Sequence, residues 1–185
     1  HEEWTAMARR LERAAIAQSA LGRELTSGSY YLRAATYYFL GERFLPACDE
    51  KVDGYRRCLH CFTEGAQRRY PNIERIAVPY GDTTLPAWFM KSERARGRTP
   101  TVVFFDGLDD TKELSVLYGG IELARRGINT LAIDGPGQGE ALRLQGIPSR
   151  YDYEVPAAAA YDYLAGRSDV DANRIAIMAY SMGGY

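Results

Sequence analysis

Near its end the chain reads Ala179-Tyr180-Ser181-Met182-Gly183-Gly184, an apolar run entering a serine with small residues two places before and after it. A nucleophilic serine held on a sharp strand-to-helix turn requires that pattern, because its backbone is strained and bulk at either flank would clash. Ala179 stands where the motif Gly-x-Ser-x-Gly has its first glycine, and alanine is small enough to serve. On the hexapeptide alone, a strand end followed by a glycine turn is the competing reading. A serine hydroxyl is a weak nucleophile at neutral pH and needs a base for its proton and donors for the oxyanion. The N–H of Met182 is one expected donor. The other is expected in the loop 105–113, where Gly107 permits a tight turn and the Leu108 N–H is the candidate. Asp106, Asp109 and Asp110 crowd that loop, and turn or helix-cap chemistry accounts for aspartates in such a place.

The elements that must carry these residues change character near Pro71. Before it the spacing predicts three helices. The first has a stripe of Trp4, Met7, Leu11 and Ala15 and ends near Gly22. The second starts from a Ser27 or Ser29 cap, and the third spans 49–70 with Tyr55, Leu59, Phe62 and Ala66 on one face. After Pro71 the pattern turns to β/α. A hairpin is expected from strands 73–80 and 85–91 around Gly81-Asp82. Apolar strands at 101–105, 128–133 and 174–180 alternate with helices at 112–126 and 152–165, which predicts a mostly parallel sheet with strands covered on both faces. The domains expected are 1–71, helical, and 72–185, α/β.

Other motifs are weaker. Asp134-Gly-Pro-Gly-Gln-Gly-Glu140 invites a dinucleotide reading, but its glycines do not match Gly-x-Gly-x-x-Gly, Pro136 lacks an N–H, and no helix is expected to open at once. A sharp turn at the rim of the site is the better account. The only histidines are His1 and His60. His60 falls on the far side of the third helix from Leu59 and Phe62, as a solvated residue would. Cys58-Leu-His-Cys61 has no second ligand pair, so small residues near an apolar face explain it better than metal or redox chemistry. No metal or cofactor is expected.

With 23 Lys and Arg against 24 Asp and Glu over 185 residues, nothing in the charge calls for nucleic acid or an anionic membrane as partner. The 46% hydrophobic content suits a packed globular chain. No apolar run approaches the ~18 residues of a membrane span, so a soluble protein is expected, and three cysteines that cannot all pair, two of them within a helical pattern, point to a reducing, cytoplasmic setting.

Three segments in this order, 107–113 (Gly-Leu-Asp-Asp-Thr-Lys-Glu), 134–140 and 180–184, resemble the α/β-hydrolase fold. Within it they resemble the branch of dihydroxypseudooxynicotine hydrolase, the fermentation/respiration switch protein and fungal polyketide-shortening hydrolases. The N-terminal segments 31–35 and 44–46 are similar to that branch's helical cap, so 1–71 is expected to be a cap. The resemblance implies an α/β-hydrolase core preceded by that cap. It implies Ser181 as nucleophile and the Leu108 and Met182 N–H groups as oxyanion donors. Asp109 matches the position of an assisting glutamate and is one methylene shorter. The resemblance further implies cleavage of a C–C bond in a β-dicarbonyl or aryl ketone, or of an ester, in a small carbonyl substrate, and leaves room for a homodimer. The branch places its acid and histidine after the serine. The chain is therefore expected to be a segment of a longer polypeptide, its catalytic core incomplete at the C-terminus. By itself it should lack a triad and about 10⁴–10⁶-fold of activity. A sheet ending at the last strand should expose an apolar edge. The alternative function is a non-catalytic regulatory or binding protein on the same scaffold. Tyr30, Tyr31, Tyr37 and Tyr38 are expected mostly to pack, and substrate contacts are left unassigned.

Overall fold

A computed structural model describes residues 1–184, which divide into two compact units, the first His1–Pro71 and the second from Asn72 onward. The first holds three helices, α1 Glu2–Ala20, α2 Glu24–Glu42 and α3 Asp49–Arg69. Their core is aromatic: Tyr38, Phe39, Tyr55 and Phe62 are all buried, each worth roughly 1.5–3 kcal/mol of transfer free energy. Tyr31 is buried too, whereas Tyr30 and Tyr37 are half-exposed.

Three local expectations are corrected here. Helix α2 begins at Glu24, ahead of either expected serine cap. Gly22, at φ +70°, ends α1, and the Arg23 N–H folds back to the Gln18 carbonyl at 3.0 Å, so the reversal is complete before Ser27. The Ser27 hydroxyl instead donates to the Ala15 carbonyl of α1 at 2.9 Å. The buried stripe of α1 is Ala8, Leu11 and Ala15; Trp4 is largely exposed and stacks on Tyr37 at 5.6 Å. On α3 the core face is turned toward Cys58 and Cys61, both fully buried, while Leu59 is only half-buried. Burial, with Glu12 nearby, pushes the Cys61 thiol well up, which suits a packing residue and not a reactive one. His60 is exposed, as its helical phase predicts.

The second unit is built on five strands: β1 Ile73–Tyr80, β2 Thr83–Met90, β3 Thr99–Phe105, β4 Asn129–Ile133 and β5 Val170–Ala179. Their order is β1-β2-β4-β3-β5. The hairpin pairs antiparallel and β2 meets β4 antiparallel, while β3 pairs parallel with β4 and β5, so the sheet is mixed. Period-2 alternation divides its faces. Leu85, Ala87, Phe89, Val103, Phe105, Leu131 and Ile133 pack with Ala141 of α6 (Gly139–Arg143) and with Ala160 and Leu164 of α7 (Glu154–Ala165). Trp88, on the other face of β2, donates to Glu113 of α4 (Lys112–Ser115) at 2.9 Å.

The helix expected over 112–126 is interrupted. Between α4 and α5 (Ile121–Arg125) lies a π turn, Val116–Gly120, which inserts an extra residue where a Cβ at Gly119 would stand 2.8 Å from the Phe104 ring. Strand β5 is not covered on both faces among the described residues, since Ile177 is 55% and Met178 38% exposed.

Candidate active site

Strand β5 runs straight into Ser181, the one non-glycine residue with positive φ (49°) among those described. Left-handed backbone at a serine is uncommon and costs of order 1 kcal/mol, so the surroundings must impose it. They do so from both sides. The Tyr180 N–H donates to the Phe105 carbonyl at 3.2 Å, and the Gly183 N–H returns to the Tyr180 carbonyl at 2.8 Å, closing a 3-10 turn over Ser181–Gly184. Gly183 has no room for a side chain, because a Cβ there would lie 2.1 Å from the Asp106 carbonyl oxygen. The small residue that the motif demands after the serine thus lets the turn press on the end of β3.

The loop after β3 meets this turn. A Cβ on Gly107 would stand 3.3 Å from the Ser181 Cβ and 3.8 Å from its Oγ. Leu108 and Met182, the two expected oxyanion donors, line one small pocket of about 50 Å³, with Pro136, Gln138, Arg150 and Tyr153 among its other walls. Neither the Leu108 nor the Met182 N–H meets an acceptor among the described residues. Ser181 and the side chains of Leu108 and Met182 are exposed. Asp109 is half-exposed one residue on and does not line the pocket; its main-chain carbonyl accepts from Arg143 at 3.5 Å.

Beneath the loop lies a charged centre that the sequence reading missed. Lys112 is completely buried, its Nζ 2.8 Å from carboxylate oxygens of Asp134, Glu113 and Glu140. Burial opposes its charge, but these carboxylates outweigh that and push its pKa up. Asp134 also accepts the Lys112 N–H at 2.8 Å and the Glu140 N–H at 2.7 Å, and Glu140 takes Arg75 at 2.7 Å. The expectation that no helix opens at the 134–140 turn is corrected: α6 starts at Gly139. Its first amides are met by the chain's own Asp134, so no phosphate is needed there. Gly139, at φ +35°, leaves no space for a Cβ beside that carboxyl.

Asp106 is more than a turn residue. It is 1% exposed, accepts a hydrogen bond from the Ser115 hydroxyl, and its second carboxyl oxygen has no partner among the described residues. Burial first, then Asp134 nearby, push its pKa well up. Gln138, 4% exposed, bridges the 134–140 turn to the loop after β3 by donating to the Asp106 carbonyl. The signal for Gln138 was a long amide between two turn glycines; for Lys112 it was a Lys-Glu pair opening a helix beside three aspartates. The histidines lie in the other unit. The ring of His1 contacts the Gly41 carbonyl at 2.6 Å and Glu50 at 2.8 Å.

No family model matches the chain. Among curated proteins it is similar to alpha/beta hydrolase xenA of Xenoacremonium sinensis, 32% identical over 194 residues, covering 98% of this chain and 45% of that one. It is 28% identical to 20-hydroxy-prefusarin hydrolase of Gibberella moniliformis over 200 residues, covering 100% and 47%. Against 2,6-dihydropseudooxynicotine hydrolase of Paenarthrobacter nicotinovorans the identity is 27% over 187 residues, covering 98% and 48%. The crystal structure of 2,6-dihydroxy-pseudo-oxynicotine hydrolase superposes with a TM-score of 0.85 at 28% identity, over 98% of this chain and 50% of that one. The chain spans about half the length of the curated relatives it matches. Among the described residues no helix is long and apolar enough to cross a membrane.

Proposed function

Because the chain belongs to the α/β-hydrolase family, we propose that the protein carrying it is a serine hydrolase acting on a small carbonyl compound through Ser181. The observation that carries this reading is the left-handed Ser181 at the end of β5, beside a pocket bounded by Leu108 and Met182. The Ser181 oxygen attacks the carbonyl carbon while its proton passes to a general base. The carbonyl oxygen becomes an oxyanion held by the Leu108 and Met182 N–H groups, which meet no acceptor among the described residues. Collapse expels the carbon or oxygen leaving group with that proton and leaves an acyl-Ser181, which water hydrolyses. Neither His1 nor His60 is assigned as the base; His1 is engaged within the helical unit and His60 stands exposed on α3.

The substrate class is proposed from the relatives. Two of them are named for hydrolysing a pseudooxynicotine and a prefusarin. By extension this site cleaves a C–C bond next to a ketone, or an ester, in a small uncharged molecule. Asp109 is proposed as an auxiliary acid at the rim. The helical unit, 1–71, is proposed as the cap segment of such a hydrolase.

A fluorophosphonate probe on the full-length protein tests the assignment. Labelling should occur and vanish in Ser181→Ala, while Asp109→Asn should slow turnover by about 10²-fold and still label. A folded wild-type protein that does not label would sink the enzyme reading and favour a binding protein on this scaffold.

A further inference from the structure

The loop that carries the Leu108 N–H has a weakness. Rotation of the Gly107–Leu108 peptide is taken up by ψ of Gly107 and φ of Leu108, and Gly107, with no Cβ, resists it little on its side. In a trans peptide the N–H and C=O point in opposite directions. Such a flip would put a carbonyl oxygen where the oxyanion needs a donor. Something outside the loop has to hold one orientation.

Gln138 is placed to do this. Its Oε1 accepts the Gly135 N–H at 3.0 Å, which fixes which end of the amide is which. Its Nε2 must then face the loop after β3, where it donates to the Asp106 carbonyl and approaches the Gly107 carbonyl at 3.5 Å. The side chain cannot swing away, because it is 4% exposed and its own N–H is bonded to the Gly135 carbonyl at 2.9 Å at the start of α6. The Asp106 carbonyl also lies against Gly183, where a Cβ would stand 2.1 Å from its oxygen. Gln138 also forms part of the pocket that Leu108 and Met182 bound.

From this arrangement we infer that Gln138 is a positioning residue for the oxyanion site, holding the Asp106 and Gly107 carbonyls back so that the Leu108 N–H points away from them as a donor. The inference rests on the serine-hydrolase reading. Gln138 touches no reacting atom in this scheme; it acts through the loop.

Gln138→Glu separates this from a merely structural role. The variant keeps the acceptor for Gly135 but sets a carboxylate against two carbonyl oxygens. Once protonated, the same carboxyl has an O–H that replaces the lost donor, and burial brings that protonation into an accessible range. At about pH 8 the rate of Ser181 acylation by a fluorophosphonate, and kcat for an ester substrate, should fall about 10²–10³-fold with KM nearly unchanged. The ratio of variant to wild-type rate should then climb at least about tenfold as pH falls to about 5. A wild-type rate in the variant overturns the inference and leaves the hydrolase reading intact. A slow rate whose ratio to wild type does not move with pH also overturns it. If Gln138→Glu does not fold, Gln138→Asn, neutral and one methylene short, decides. Slowing by about tenfold or more at an unchanged melting temperature supports the clamp, and a wild-type rate sinks it. A wild-type protein that never labels overturns both readings together.

Discussion

At the scale of single residues, the site joins a strained serine to a buried acid. Asp106 sits immediately before the loop glycine, and its raised pKa means that the folded protein binds a proton there which the unfolded chain gives up near pH 4. By linkage, the stability this group contributes is fully present below its unfolded pKa and is lost as pH rises toward its folded pKa. Asp106→Asn keeps an acceptor for Ser115 and removes the titration. The melting temperature of the variant relative to wild type should therefore increase as pH is raised from about 4 to about 7, by roughly 2–4 °C per kcal/mol recovered. A constant difference across that range would show that Asp106 keeps its ordinary acidity. Groups such as Asp169, held low by Arg167, shift stability in the opposite sense and cancel in this comparison.

At the scale of elements, the Lys112 centre fastens α4, α6 and the end of β4 to one another, with β2 joined through Trp88 and β1 through Arg75. Glu113 is buried, which would raise its pKa, but Lys112 beside it holds it low. Lys112→Met, similar in length, would remove the cation that Asp134, Glu113 and Glu140 share, leaving Arg75 on Glu140, and should cost about 3–5 kcal/mol in denaturant unfolding at pH 7. The loss should shrink as acid protonates those carboxylates. A near-neutral Lys112→Met would mean that the centre is solvated. What was legible in sequence follows the range of the interactions. The hairpin and the Ser181 turn are written in contiguous residues, since alternation, turn glycines and small flanks act over a few positions. The start of α2, the π turn and the buried charges are not, because Ser27 answers to Ala15, Gly119 to Phe104, and Lys112 to an aspartate 22 positions on. A lysine opening a helix looks solvated until two of its partners arrive from the 134–140 segment. Gln138 escaped for the same reason, reaching an acceptor 32 positions away.

At the scale of the whole chain, 23 basic residues balance 24 acidic ones, and the charges nearest the site are largely paired. A neutral ester carries no charge for a field to steer, so kcat/KM of the full-length protein for it should change less than about twofold between roughly 50 and 500 mM salt. A steep salt dependence with this uncharged ester would show that salt acts on the protein's own ion pairs around the site. Residues Ala179 to Gly184 supply the proposed nucleophile and one oxyanion donor, while the loop after β3 supplies the other.

The position of β4 adds an order of events. It enters the sheet between β2 and β3, both of which precede it in the chain, and it brings with it Asp134. Until that strand is inserted, β2 and β3 have open inner edges, and neither the loop after β3 nor the turn before α6 has the carboxylate that ties it down. On a chain made from its N-terminus, the surroundings of the serine therefore cannot take shape as their residues emerge. They set only once β4 has closed the middle of the sheet and β5 has paired with β3, so anything that delays β4 delays the whole catalytic corner with it.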